Sequence, residues 1–222
     1  MRVDRKCSKC RTAQAPGPLA PIPLGQMTDR QIKSVRTKID KIKKALSADK
    51  RQWGGQHHDG RGLRYLPPEQ YLKLQDYSGA LKYFNWFYKN FPDDSGYPDF
   101  LFEWTITLFY CGKLKDAEKK AFDMYFGNEY YFDKFFNRPI TRSGKWHSSN
   151  LEDPEMTETF IYSADTPVLK EFAIWLLGFT NSDNFTQTIK KYYELNKQLD
   201  NEPIGPKRTE LVRRLRLITN NV

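Results

Sequence analysis

From position 77 to 126 apolar residues recur at helical spacing, and the pattern is cut only where proline or glycine stops it. The run 77–91 ends at Pro92, the run 98–111 at Gly112, and the run 114–126 at Gly127. Proline has no amide proton for a helix interior, and glycine tolerates the left-handed backbone that closes a helix, so each marks a boundary. Helices joined by connections this short lie antiparallel beside one another.

The same spacing extends on both sides. Thr28 followed by Gln31 forms a capping-box signature for a helix over 28–48. Ile32, Val35, Ile39, Ile42 and Leu46 share one face of it, while Lys33, Lys38, Lys41 and Lys44 cover much of the rest. That stripe is too short for a coiled coil and predicts docking on the body of the protein. A helix over 63–75 begins near Pro67-Pro68, where proline suits a first turn. Further helices are predicted over 129–136, 153–162, 167–179, 183–199 and 206–219, with Thr166 as N-cap before Pro167. The last should bury Leu211, Leu215 and Ile218 and expose Arg213, Arg214 and Arg216. No stretch sustains the two-residue alternation of a half-buried strand, so the fold class is all-α.

Charge is unevenly placed. The chain carries a net +9, yet residues 1–50 hold 13 Lys/Arg against 4 Asp/Glu and residues 205–222 hold 5 against 1. The stretch between them holds 18 against 22 and is mildly acidic. A uniformly basic, nucleic-acid-binding fold is therefore disfavoured. Mean hydropathy is −0.75, and the longest apolar stretch, 172–179, falls far short of the roughly 20 residues that span a bilayer. Three cysteines, Cys7, Cys10 and Cys111, are too few for a disulfide scaffold and fit a reducing, cytoplasmic setting. Cys111 reads as a small buried side chain. Residues 1–26 are rich in Pro, Ala and Gly without periodicity and read as a disordered tail, with Met27 as the functional start of a single helical domain over 27–222.

The middle of the chain resembles the tetratricopeptide repeat. Asp76-Tyr77-Ser78-Gly79-Ala80 followed by Phe84, Phe87 and Pro92, and later Gly112-Lys113-Leu114-Lys115-Asp116-Ala117 followed by Ala121 and Met124, are similar to that family's second-helix signature. Ala80 and Ala117 stand 37 positions apart, against about 34 in the family; the longer turn at 93–97 accommodates the excess. The run 59–136 also resembles uncharacterised bacterial proteins of this type. The resemblance implies repeats over 61–92 and 98–128, within a right-handed α-α superhelix of antiparallel hairpins of about eight to ten helices. Two units cannot cover their own apolar faces, so the flanking helices must close the domain.

Chemistry is sparse. Cys7-x-x-Cys10 is half a zinc site with no second pair at ordinary spacing, so no metal and no cofactor are predicted. Arg142 and His147 have the spacing of the pair in HEPN-class ribonucleases, but Gly144 lies between them. Paired acids at Asp93-Asp94 and Glu152-Asp153 sit at helix boundaries, where acids cap. The glycine-rich loop 53–62 holds the most reactive-looking cluster, His57-His58-Asp59; loop residues of this kind also bond to backbone and hold a turn. The binding residues singled out are His57, His58, Asp59 and Arg61 in that loop, Arg64 and Tyr65 after it, and Trp104 among aromatics that could line a concave face. These features predict a non-enzymatic module that binds a protein or peptide partner. The alternative is a nucleic-acid-binding protein or ribonuclease that uses the basic helices with Arg142 and His147.

Overall fold

The computed structural model describes residues 27–141 and 150–220. Among these residues there are nine α-helices and no strand. Helix α1 (Asp29–Gln52) opens with the capping box in place: Thr28 Oγ1 accepts from the Gln31 amide, and Gln31 Oε1 accepts from the Thr28 amide at 2.8 Å. Val35, Ile39, Ile42 and Leu46 are buried, and α1 lies along α2 (Pro67–Lys73) of its own chain.

Helix α3 (Tyr77–Asn90) is capped by Asp76, whose carboxylate accepts from the Gly79 amide at 2.9 Å. Gly79 is required by close approach: a Cβ there would lie 2.5 Å from Asp76 Oδ2 and 2.8 Å from the Tyr71 ring. Helix α4 (Pro98–Tyr110) follows, then α5 (Leu114–Gly127) and the short α6 (Tyr130–Phe135). Adjacent helices pack pairwise, α2 on α3 and α4 on α5, with α3 also against α4.

Helix α4 is apolar over most of its circumference, the acids Asp99 and Glu103 one turn apart being its only charges, and ten of its thirteen residues are buried. Phe100, Trp104 and Leu108, one turn apart, enter a core shared with α1, α3 and α5. Phe102 and Ile106 enter a second core with Phe122, Phe135, Phe172 and Leu176. Fully burying each such side chain contributes about 1.5–3 kcal/mol.

Helices α7 (Lys170–Thr180), α8 (Asp183–Asn201) and α9 (Pro206–Asn220) complete the described chain. Leu211 of α9 packs on Leu195 and Leu199, with Leu215 and Ile218 partly buried beside them, while Arg213, Arg214 and Arg216 are exposed. No helix among the described residues is long and apolar enough to cross a membrane.

Three expectations need correction. Residues 153–162 are not an α-helix: Pro154–Thr159 is a 3-10 helix capped by Asp153, and 160–162 is extended. Phe160 and Tyr162 are both buried with Ile161 exposed between them, so core packing imposes an extended path on this short stretch. Thr166 stands at an N-cap but its side chain makes no capping bond. Cys111 is only partly buried, because it follows the last turn of α4, and its thiol donates to the Tyr77 carbonyl.

Ala80 and Ala117 are fully buried in one core. Ala117→Leu should therefore overpack it and lower stability by about 1–3 kcal/mol, read as a lower urea midpoint; an unchanged midpoint would show that the site has room.

Candidate functional site

The loop 53–62 is held by two aspartates. Asp49, near the end of α1, accepts from the amides of His58 at 2.9 Å and Asp59 at 3.2 Å through one oxygen. Asp59, buried and with φ of 33°, accepts from the amides of Leu63 at 2.9 Å and Arg64 at 3.0 Å. That carboxylate thus satisfies the start of the 3-10 helix Leu63–Tyr65.

Arg64 then ties the loop to the α3–α4 connection. Its Nη1 donates to Asp59 Oδ2 at 3.1 Å and its Nε to Asp94 Oδ2 at 2.7 Å. The Tyr65 hydroxyl donates to the same Asp94 oxygen at 2.6 Å, and the Tyr83 hydroxyl to the Arg64 carbonyl at 2.8 Å. These donors hold the Asp94 carboxyl below its ordinary range against the opposing effect of burial. The same carboxylate, through hydrogen bonding and charge added to burial, raises the Tyr65 hydroxyl far above its usual value.

The two histidines point into different surroundings. His57 is enclosed by Trp86 and Phe91, at ring separations of 5.4 and 5.0 Å, and neither ring nitrogen has a hydrogen-bond partner. Burial, aided by Lys50, lowers its pKa, while Asp49 opposes the shift. His58 stacks on the exposed Trp53 at 4.7 Å.

Of the residues singled out from sequence, Asp59, Arg64 and Tyr65 therefore act together as an internal clamp, and His57 packs beside it against Trp86 and Phe91. Trp104 lies elsewhere, stacked on Phe84 at 4.7 Å, with Lys120 Nζ over its ring at 4.6 Å from the centroid. Arg142, His147, Cys7 and Cys10 lie outside the described residues. Among those described, no set of three His, Cys, Asp or Glu side chains converges to hold a metal.

Arg61 alone of the loop's charged side chains faces a cleft, and Tyr65 shares its wall. The cleft has a volume of about 560 Å³ and is bounded by the loop at 60–62, by α2, α4 and α6, and by the segment 159–162. Glu69 comes from α2, Asp99 and Glu103 from α4 one turn apart, and Tyr131 from α6. Phe100, Phe160 and Tyr162 add ring surface.

Sequence reasoning missed Glu103. It is 6% exposed, and its Oε1 accepts at 2.7 Å from the Tyr162 hydroxyl, itself buried. Burial first, then the charges of Asp99 and Glu69, raises its carboxyl well above the ordinary range, with the Tyr162 bond opposing the shift. Glu69 is paired with Lys73 and accepts from Gln70. A lone acid inside the aromatic run Phe100-Leu101-Phe102-Glu103-Trp104 was the available signal. No protein-family model, no curated protein and no solved structure matches this chain.

Two measurements check the clamp. Arg64→Met leaves Asp59 and Asp94 without their cation and should cost roughly 3 kcal/mol in urea unfolding; a loss near zero would mean the network is dispensable. Because the His57 pKa is depressed in the folded protein, its contribution is complete above the unfolded value near 6.5 and is lost as pH falls through that value toward the folded one. The denaturation midpoint should thus fall from pH 7 to pH 5 more steeply in the wild type than in His57→Phe; equal slopes would contradict this.

Proposed function

We propose that the protein is a non-enzymatic module that binds a peptide or protein partner in the cleft, and that α2–α3 and α4–α5 are tetratricopeptide-like hairpins of a right-handed superhelix. The observation that carries this reading is where the cleft lies. Its floor comes from α2 and α4, the leading helices of the two pairs, and from α6, rather than from α3 or α5. In stacked helical arrays the concave surface is the binding surface.

The lining favours binding over chemistry. Tyr131 donates its hydroxyl to the Met156 carbonyl at 3.0 Å, and Tyr65 is committed to Asp94. Among the described residues, no histidine or cysteine lines the cleft. What remains is shaped apolar surface with a few directed polar groups, the usual composition of a recognition site. The nucleic-acid alternative rests on exposed lysines of α1 and arginines of α9, which are separate from the cleft.

Selection of random dodecapeptides against the full chain tests the proposal. Binders should emerge whose affinity falls at least about tenfold in Thr159→Trp, which places a large ring on the exposed rim. Failure to select any binder, or binders indifferent to that substitution, would refute the cleft as the recognition site.

A further inference from the structure

Resting on the reading of the cleft as a peptide site, we propose that its occupant presents a basic side chain, arginine or lysine, whose charged head is received by Asp99 and Glu103. Among the described residues, the cleft holds three carboxylates against the single cation Arg61 at its edge. Glu69 already has Lys73 as partner. Among the described residues, neither Asp99 nor Glu103 forms an ion pair.

Depth separates the two acids. Asp99 is exposed at the mouth, one turn of α4 before Glu103, which is more than nine-tenths buried. Tyr162 satisfies one Glu103 oxygen, and no donor among the described residues meets the other, Oε2. An acid so placed is costly to ionise alone, and a cation entering the cleft relieves that cost. The surroundings suit such a cation. The exposed ring of Tyr97 lies at the mouth, with the buried rings of Phe100, Tyr131 and Phe160 behind it in the lining, and aromatic faces attract guanidinium and ammonium groups. A long basic side chain also brings an apolar stem that can lie along those rings while its head goes deeper.

Pairing with a cation ionises Glu103, so binding releases a proton. Burial and the neighbouring acids hold that proton on the free carboxyl above the ordinary range, and affinity should accordingly rise with pH through the range in which the free carboxyl titrates.

The experiment takes a dodecapeptide selected on the full chain and replaces each arginine by citrulline and each lysine by norleucine. One such replacement should weaken binding at least about tenfold, the loss expected for a hydrogen-bonded charge left unpaired. Glu103→Gln, which keeps the shape of the side chain and the Tyr162 contact surface, should weaken the parent peptide similarly and remove the rise of affinity with pH. Asp99→Asn, at the exposed mouth, supplies the same test without touching the core. Equal binding of the neutral analogues, or selected peptides free of arginine and lysine, would overturn the basic-side-chain assignment while leaving peptide binding itself intact. Absence of any selected peptide would instead remove the recognition reading on which it rests.

Discussion

Helix α4 must be covered on every side, and the rest of the molecule is arranged to cover it. Beyond the face of Asp99 and Glu103 its sequence offers no charge to meet water, so α3 and α5 close two flanks while α2 and α7 contact the others. Phe100 and Trp104 bind it to one core and Phe102 and Ile106 to the other. The helices on either side of the central hairpins are thereby part of the same packing problem, since a pair of hairpins alone would leave one of those faces wet.

Glu103 is the point at which that burial becomes chemistry. It rides into the core on α4, where an ionised carboxylate is disfavoured, and Tyr162 arrives from 59 positions further along the chain to hydrogen-bond it. The cleft is the gap through which this acid still communicates with solvent. Its outer wall includes the end of the loop, residues 60–62, and that loop is fixed by Asp49, Asp59 and Arg64 rather than by apolar packing alone. The residues that looked most reactive thus hold the site's edge, and a residue inside the core supplies its charge.

Much of the fold could be read from residues because the helix ends are set by local chemistry. The Thr28–Gln31 box, Asp76, Pro98 and Gly112 each act within a few residues of themselves, and the observed boundaries follow them closely. The stretch after Pro154 was read wrongly for the opposite reason: the buried positions of Phe160 and Tyr162 are decided by distant partners, including Phe102 and Tyr131. The cleft was hidden in the same way. Asp99 and Glu103 share one face of α4, but only the packing of α2 against α4 brings Glu69 to the same wall. His57 was singled out in sequence as a binding residue, yet its ring is enclosed by Trp86 and Phe91.

The central claim is that a buried, proton-holding Glu103 defines the recognition cleft. Carboxyl carbon NMR of the full chain, with the Glu103 resonance assigned by its loss in Glu103→Gln, measures this directly. The account predicts that Glu103 titrates well above the ordinary carboxylate range in the free protein and moves down toward it when a selected basic peptide is bound. An ordinary titration in the free protein, or one that the bound peptide leaves unchanged, would contradict it.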